Sequence, residues 1–217
     1  MDRDIFYRIV EGRRDVRAFR PDPIPANVLT RILGAAHHAP SVGFMQPWNF
    51  IVIRDTATRA LVKASFSEEN ARAAAHYSGP RGELYRALKL EGIEDAPLNI
   101  CVTCDRTRGG LHVLGRNTIV DTDLYSTCCA VENLWLAARA EGVGVGWVSI
   151  LSEEALRRIL GIPEHVTPVA YLCVGFPEAF YAEPELERRG WRVRTPLDQV
   201  IFNERWGSRG NVTRSRP

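Results

Sequence analysis

Apolar and polar positions along the chain follow two periods. Val28, Leu29, Ile32 and Leu33 recur at helical spacing between Asn27 and Ala36, and Pro40 sets a stop. Asn49 to Asp55 reads as a strand, because Phe50, Ile51, Val52 and Ile53 form a short continuous apolar run of the kind found where both faces of a sheet are covered. An Ala-rich stretch from Thr56 to about Tyr77 predicts a helix. Ser78, Gly79, Pro80 and Gly82 break it before a second amphipathic stretch around Leu84 to Leu90, and the region from Ser78 to Pro97 is a candidate lid. Leu98 to Cys104 predicts another strand, followed by an irregular basic loop holding Arg106, Arg108 and Arg116. Between Asp121 and Ala140, Leu124, Cys128, Val131, Leu134, Trp135 and Ala138 mark the apolar stripe of a long central helix that Gly142 terminates. Val145 to Leu151 is a third strand. Ser152 caps a short helix ending at Gly161 and Pro163, and Val169 to Phe176 is a fourth strand. From Glu178 onward the chain is rich in arginine, with Trp191 and Trp206 and too little periodicity for a core of its own. Such an arm buries its aromatics by lying on another surface, which predicts a homodimer with exchanged tails.

Composition narrows the class. The 217 residues are 45% hydrophobic and 25% charged and show no repeat, so a single folded domain over 1–217 is expected. Lys plus Arg is 28 against 26 for Asp plus Glu, a formal net charge of +2, so no bulk field draws nucleic acid and any anion site is local. No apolar run approaches the ~18 residues of a membrane span. The amino terminus lacks an apolar signal core, and five cysteines is an odd count; both suggest cytoplasm, with thiols kept reduced.

Candidate chemistry is concentrated in three places. Arg13, Arg14 and Arg17 are expected within one helical turn, where three guanidinium groups plus helix amides can clamp a phosphate; the alternative is a solvated basic face. Asp15 sits among them, either in an ion pair with Arg14 or Arg17 or bonded to a ligand hydroxyl. Pro40, Ser41 and Gln46 belong to a tight loop whose hydroxyl and amide can meet the edge of a planar heterocycle, or simply cap the turn. Gly142, Gly144 and Gly146 follow a helix and enter a strand, the reverse of the dinucleotide fingerprint. They are read instead as allowing backbone to approach a flat ligand, with Trp147, Val148 and Ser149 presented from the strand. Cys101 and Cys104 point to opposite faces of a strand and Cys128 and Cys129 lack a nearby His, so no metal site is expected and all five cysteines are read as buried small hydrophobes. No nucleophile-elbow signature is present.

Arg13 to Phe19 (RRDVRAF) followed by Ala39 to Phe50 (APSVGFMQPWNF) resembles the flavin site of the nitroreductase-like superfamily. With LKLEGIEDAP at 88–97, VTCDRTRGG at 102–110, NLWLAARAEGVGVGWVS at 133–149 and AYLCVGFPE at 170–178, the resemblance narrows to its dimethylbenzimidazole-forming branch, which carries an acid at the position of Asp15. The resemblance implies an α+β nitroreductase-like fold: a mixed central sheet wrapped by helices, with a C-terminal arm exchanged in a homodimer. It implies FMN, in reduced form and consumed as substrate, together with molecular oxygen. It implies Arg13, Arg14, Asp15, Val16, Arg17, Leu90, Val148, Ser149 and, on a looser motif, Arg188 as flavin contacts, with Pro40, Ser41 and Gln46 contributed by the partner subunit. Asp15 and Ser149 correspond to the branch's essential acid and hydroxyl. The implied reaction is oxygen-dependent fragmentation of reduced FMN, delivered by a separate flavin reductase, to the lower-ligand base of cobalamin and erythrose 4-phosphate. An NAD(P)H-dependent nitroreductase or flavin reductase, a non-enzymatic flavin carrier, and a dehalogenase of the same superfamily are the other readings.

Overall fold

Apolar alternation in two adjacent strands organises the molecule. In the computed structural model, which describes residues 3–209, β2 (Leu98–Asp105) and β4 (Val166–Gly175) pair antiparallel at the centre of a four-stranded sheet ordered β1-β2-β4-β3. Strands β1 (Trp48–Ile53) and β3 (Gly144–Val148) form its edges, and both also pair antiparallel. The parallel component expected of a mixed sheet is confined to one bridge, Asp15 to Val145. Although β1 has the apolar run of a covered strand, its edge position leaves its middle residues half-buried.

The two faces of the sheet build two cores. Leu98, Ile100 and Val102 with Leu172 and Val174 meet Leu29, Ile32 and Ala36 of α2 (Ala26–His37) and Val131 and Leu134 of α5 (Thr122–Ala140). On the opposite face Cys101, Tyr171 and Cys173 meet Val62 and Phe66 of α3 (Thr56–Ala74) and Leu156 of α6 (Glu153–Leu160). Each fully buried aliphatic or aromatic side chain contributes about 1.5–3 kcal/mol. As expected, Ser152 caps α6 by accepting from the Ala155 amide, and Gly161 ends it in the left-handed region at φ 65°.

Three expectations need correction. Gly79, Pro80 and Gly82 do not lie between helices: they open α4 (Gly79–Ala87), with proline in the first turn, where its missing N–H costs nothing. The first half of α5 buries polar residues, Thr122, Asp123, Ser126 and Thr127, while Leu124 is half-buried. These meet polar loop groups: Ser126 Oγ accepts from the Val42 amide (3.1 Å), and Asp123 pairs with Arg106 (3.0 Å). That rotation leaves Cys128 and Cys129 exposed, so only Cys101, Cys104 and Cys173 are buried cysteines. Burial pushes the Cys101 and Cys173 thiols up to about 12, which keeps them protonated.

The chain divides after Ala182 into two units. In the second, α7 (Glu185–Arg188) holds Arg188 and Arg189 in ion pairs with Glu185, and the Phe202 and Trp206 rings meet with centroids 4.7 Å apart. Among the described residues no helix is long and apolar enough to cross a membrane, and no group of three His, Cys, Asp or Glu residues is placed to hold a metal ion.

Candidate flavin site

The stretch from Arg13 to Arg20 is extended, not helical. Helix α1 (Arg3–Gly12) has ended, and the chain runs along the free edge of β3, with the Val16 amide donating to Val145 O (3.0 Å). It then crosses to the end of β4, where the Arg20 amide donates to Phe176 O (2.8 Å). The helix amides expected beside the three arginines are therefore absent, since Arg13 and Arg14 follow a helix C-terminus. Extended geometry instead puts Asp15 and Arg17 on one side of the chain and Arg14 on the other. Arg17 Nη2 donates to Asp15 and to Trp147 O (2.8 Å).

Glycine in β3 permits this arrangement. A Cβ on Gly146 would lie 2.0 Å from Val16 O and 2.6 Å from Arg17 Nη1. What approaches Gly146 closely is the chain's own Val16 backbone together with the Arg17 guanidinium. Val16 buries its side chain over Gly144, and Val148 is buried in the core beneath. Leu90 packs against that same core.

Asp15 is held from two directions. Oδ1 accepts from the Trp147 amide (2.9 Å) and Oδ2 from Arg17. Loss of hydration among the surrounding protein atoms raises its carboxyl above the usual range, against the lowering effects of Arg17, the Trp147 amide and Arg13. Solvent nevertheless reaches 42% of its side chain, so the group is tied to the chain on two sides and open to solvent on another. Arg17 is mostly covered, and its Nη1 is buried without an acceptor.

Arg13 and Arg14 differ sharply. The Arg13 guanidinium lies 4.6 Å from the centre of the Trp135 ring, and its ion pair with Glu132 is a long 3.9 Å, which leaves its donor fork available to an outside anion. Arg14 donates to the carbonyls of Glu11 (2.6 Å), Arg13 (2.6 Å), Tyr181 (3.1 Å) and Ala182, so it reaches an outside anion only by releasing them. Trp135 and Arg139, one helical turn apart on α5, fix this stretch through Nε1 to Arg14 O (3.2 Å) and Nε to Gly12 O (3.0 Å). Sequence reasoning missed their part; the signal was an i, i+4 aromatic and cation pair on the central helix.

Ser149 follows the end of β3 and is exposed. Beside it opens a cavity of about 230 Å³ lined by Trp147, Val148, Glu153 and Tyr171. The loop of Ser41 and Gln46 lies elsewhere. Ser41 Oγ accepts from the Gln46 amide (3.1 Å), and Gln46 sits at φ 46° with its carbonyl held by Arg108 (3.0 Å); Pro40 is exposed. This loop enters β1, at the opposite edge of the sheet from β3. Three strand spacings, roughly 14 Å, separate the two edges. Within one chain Asp15 lies with Arg13 and Arg17 against Trp147 of β3, Leu90 and Val148 pack in the core that holds Val16, Ser149 follows at the end of β3, and Pro40, Ser41 and Gln46 lie at the other edge of the sheet. Arg188 lies in the second unit.

The Nitroreductase family pattern matches residues 10–176. The chain is 44% identical to 5,6-dimethylbenzimidazole synthase of Rhodospirillum rubrum, over 89% of this chain and 92% of that one. It is 42% identical to the enzyme of the same name from Rhodobacter capsulatus, over 90% and 95%. Identity to an NADH dehydrogenase of Thermus thermophilus is 30%, over 88% and 91%. In structure it is similar to iodotyrosine deiodinase bound to FMN and 3-iodo-L-tyrosine (TM-score 0.71, 19% identity, covering 92% of this chain and 98% of that one). It is also similar to a BluB-like flavoprotein of Clostridium difficile 630 (TM-score 0.67, 19% identity, 92% and 98%). The chain belongs to the nitroreductase family, on the branch that holds the 5,6-dimethylbenzimidazole synthases.

Proposed function

We propose that two copies of this chain together enclose reduced FMN and fragment it with molecular oxygen to 5,6-dimethylbenzimidazole and erythrose 4-phosphate, the base serving as the lower ligand of cobalamin. The observation that carries this reading is Asp15, a carboxylate fixed by the Trp147 amide and Arg17 within a cationic stretch along β3, the strand that ends just before Ser149. A plain flavin reductase has no evident use for such an acid next to the phosphate-binding cations.

The residues present fit the flavin. Arg13 keeps its donors for the phosphate, and Arg17 adds a second cation whose orientation is set by Trp147 O. Each such charge-assisted bond contributes about 1.5–3 kcal/mol, enough to hold one end of the molecule while the other reacts. Leu90 offers an apolar wall, and the backbone of Val148 with the Ser149 hydroxyl offers polar atoms to the ring edge. Reduced FMN supplies the electrons that oxygen takes up and the carbon framework that becomes the base. Asp15 accepts a proton from a hydroxyl of the sugar-alcohol chain, a task suited to a carboxyl raised above its ordinary range. Ser149, with no adjacent base, acts as a hydrogen-bond donor. The segment from Ser78 to Pro97 covers the site and excludes water and nicotinamide donors.

A homodimer supplies the loop of Pro40, Ser41 and Gln46 from the second copy. The exposed Ile5, Phe6, Tyr7 and Val10 of α1, and Tyr125 beside Cys128 and Cys129 on α5, are apolar surface for such an interface. The tail carrying Arg188 is exchanged between copies, and a separate flavin reductase delivers the reduced flavin in the cytoplasm. The test is to mix the purified protein with reduced FMN in air and identify the products by mass. Dimethylbenzimidazole supports the reading; intact oxidised FMN as the sole flavin product defeats it.

A further inference from the structure

Arg59, in the first turn of α3, is buried yet pairs with no carboxylate among the described residues. Its Nη1 donates instead to three main-chain carbonyls near the end of the lid segment, those of Ile93 (3.5 Å), Glu94 (3.1 Å) and Ala96. Asn99, fully buried on β2, donates to the same Ile93 carbonyl (3.0 Å) and to Tyr171 Oη (2.9 Å). A buried cation is costly unless every polar neighbour is turned toward it. Here the cation gathers the carbonyls of one turn and so fixes that turn.

The fixed turn lies directly on the candidate site. The Gly92 carbonyl accepts from the Ala96 amide (3.0 Å), and a Cβ on Gly92 would lie 2.7 Å from the Phe19 ring and 2.9 Å from Arg17 O. The Ile93 amide donates to Glu91 (2.7 Å), which pairs with Lys63 of α3. A continuous set of contacts therefore runs from Arg59 through the carbonyls of Ile93, Glu94 and Ala96 to Gly92 and onto the main chain of Arg17, whose guanidinium holds Asp15.

We propose that Arg59 is a positioning residue for the reaction. It anchors the base of the lid so that Gly92 sets the height of Arg17 and Asp15, while only the part of the lid before Leu90 is left to move. This rests on the proposed fragmentation of reduced FMN. Misplacement of reacting groups by about 1 Å costs on the order of 100-fold in rate. The R59K variant keeps the charge but ends one bond short of Nη1, the one atom that donates to all three carbonyls. It should bind FMN nearly as well as wild type, yet form dimethylbenzimidazole on the order of 10- to 100-fold less often per reduced FMN oxidised, with hydrogen peroxide and intact FMN making up the difference. Leu29→Ala, in the opposite core, is the control for destabilisation alone and should keep the wild-type yield per turnover.

Amide exchange on the wild-type protein without flavin gives an independent measurement. The Gly92 and Ala96 amides should exchange as slowly as those of β2. Wild-type yield per oxidised flavin in R59K, equal loss in Leu29→Ala, or loop-like exchange at Gly92 and Ala96 would each overturn the proposal. If R59K does not fold, the exchange measurement decides alone. If wild type itself makes no benzimidazole, the reaction reading fails, while the exchange result still judges the anchor.

Discussion

Replacing Gly146 by alanine tests how the site is built. The new Cβ would stand 2.0 Å from the Val16 carbonyl oxygen, where ordinary contact begins at 3.4 Å, and backbone cannot yield as a flexible side chain does. The Arg13–Arg20 stretch must lift from β3. Three bonds are then at risk: Val16 N–H to Val145 O at 3.0 Å, Trp147 N–H to Asp15 at 2.9 Å, and Arg17 to Trp147 O at 2.8 Å. Taking about 1 kcal/mol for the neutral bond and about 2 for each charged one gives about 5 kcal/mol if all are lost. Domain stability is about 5–15 kcal/mol, so the variant should be severely weakened. Urea unfolding followed by circular dichroism would measure the loss, and titration with FMN would measure the site. Gly34→Ala makes the comparison sharp: that glycine lies inside α2 with nothing within 4 Å of the added carbon, so alanine should stabilise by about 0.5–1 kcal/mol. A Gly146→Ala protein within about 1 kcal/mol of wild type that binds FMN normally would refute the reasoning.

Further consequences concern single groups. Asp15→Asn should bind FMN and yield no benzimidazole. Because the folded protein raises the Asp15 carboxyl above its unfolded value of 3.8, the ionised form weakens folding as pH rises through that window. The asparagine variant should therefore gain stability relative to wild type toward neutral pH, with the difference shrinking as pH falls to 3.8 and below; denaturation at several pH values reads the trend. Arg13→Gln should weaken FMN by about 2 kcal/mol, roughly 30-fold, and riboflavin far less, since only FMN carries the phosphate. Ser152→Ala removes the cap of α6 and should cost about 1 kcal/mol in thermal or urea unfolding without altering flavin affinity.

Local signals announced the regular elements well. The spacing of Val28, Leu29, Ile32 and Leu33, the Ser152 cap and the Gly161 stop are effects within a few residues, and the structure has them where the pattern puts them. The helical turn expected for Arg13 to Arg17 does not form because the conformation of this stretch is decided elsewhere: with few apolar positions it has no period of its own, and the bonds of the Val16 and Arg20 amides go to Val145 and Phe176, more than a hundred residues away. The same holds for the first half of α5, whose buried Asp123 is explained only by Arg106 arriving from the basic loop. The candidate site was legible by residue type, since Arg13, Asp15, Arg17 and Ser149 stand out in the sequence. Its supports, Trp135, Arg139 and Arg59, were not, because each acts through a carbonyl that no side-chain pattern marks.

The central claim is that one reaction site needs the β3 edge of one copy and the Gln46 loop of another. Co-expression of Asp15→Asn with Gln46→Ala, each expected to be inactive alone, tests it directly. Random pairing makes about half the dimers mixed, each with one intact site, so benzimidazole formation should return to about a quarter of wild type. Mixed preparations no more active than either variant alone would contradict the account.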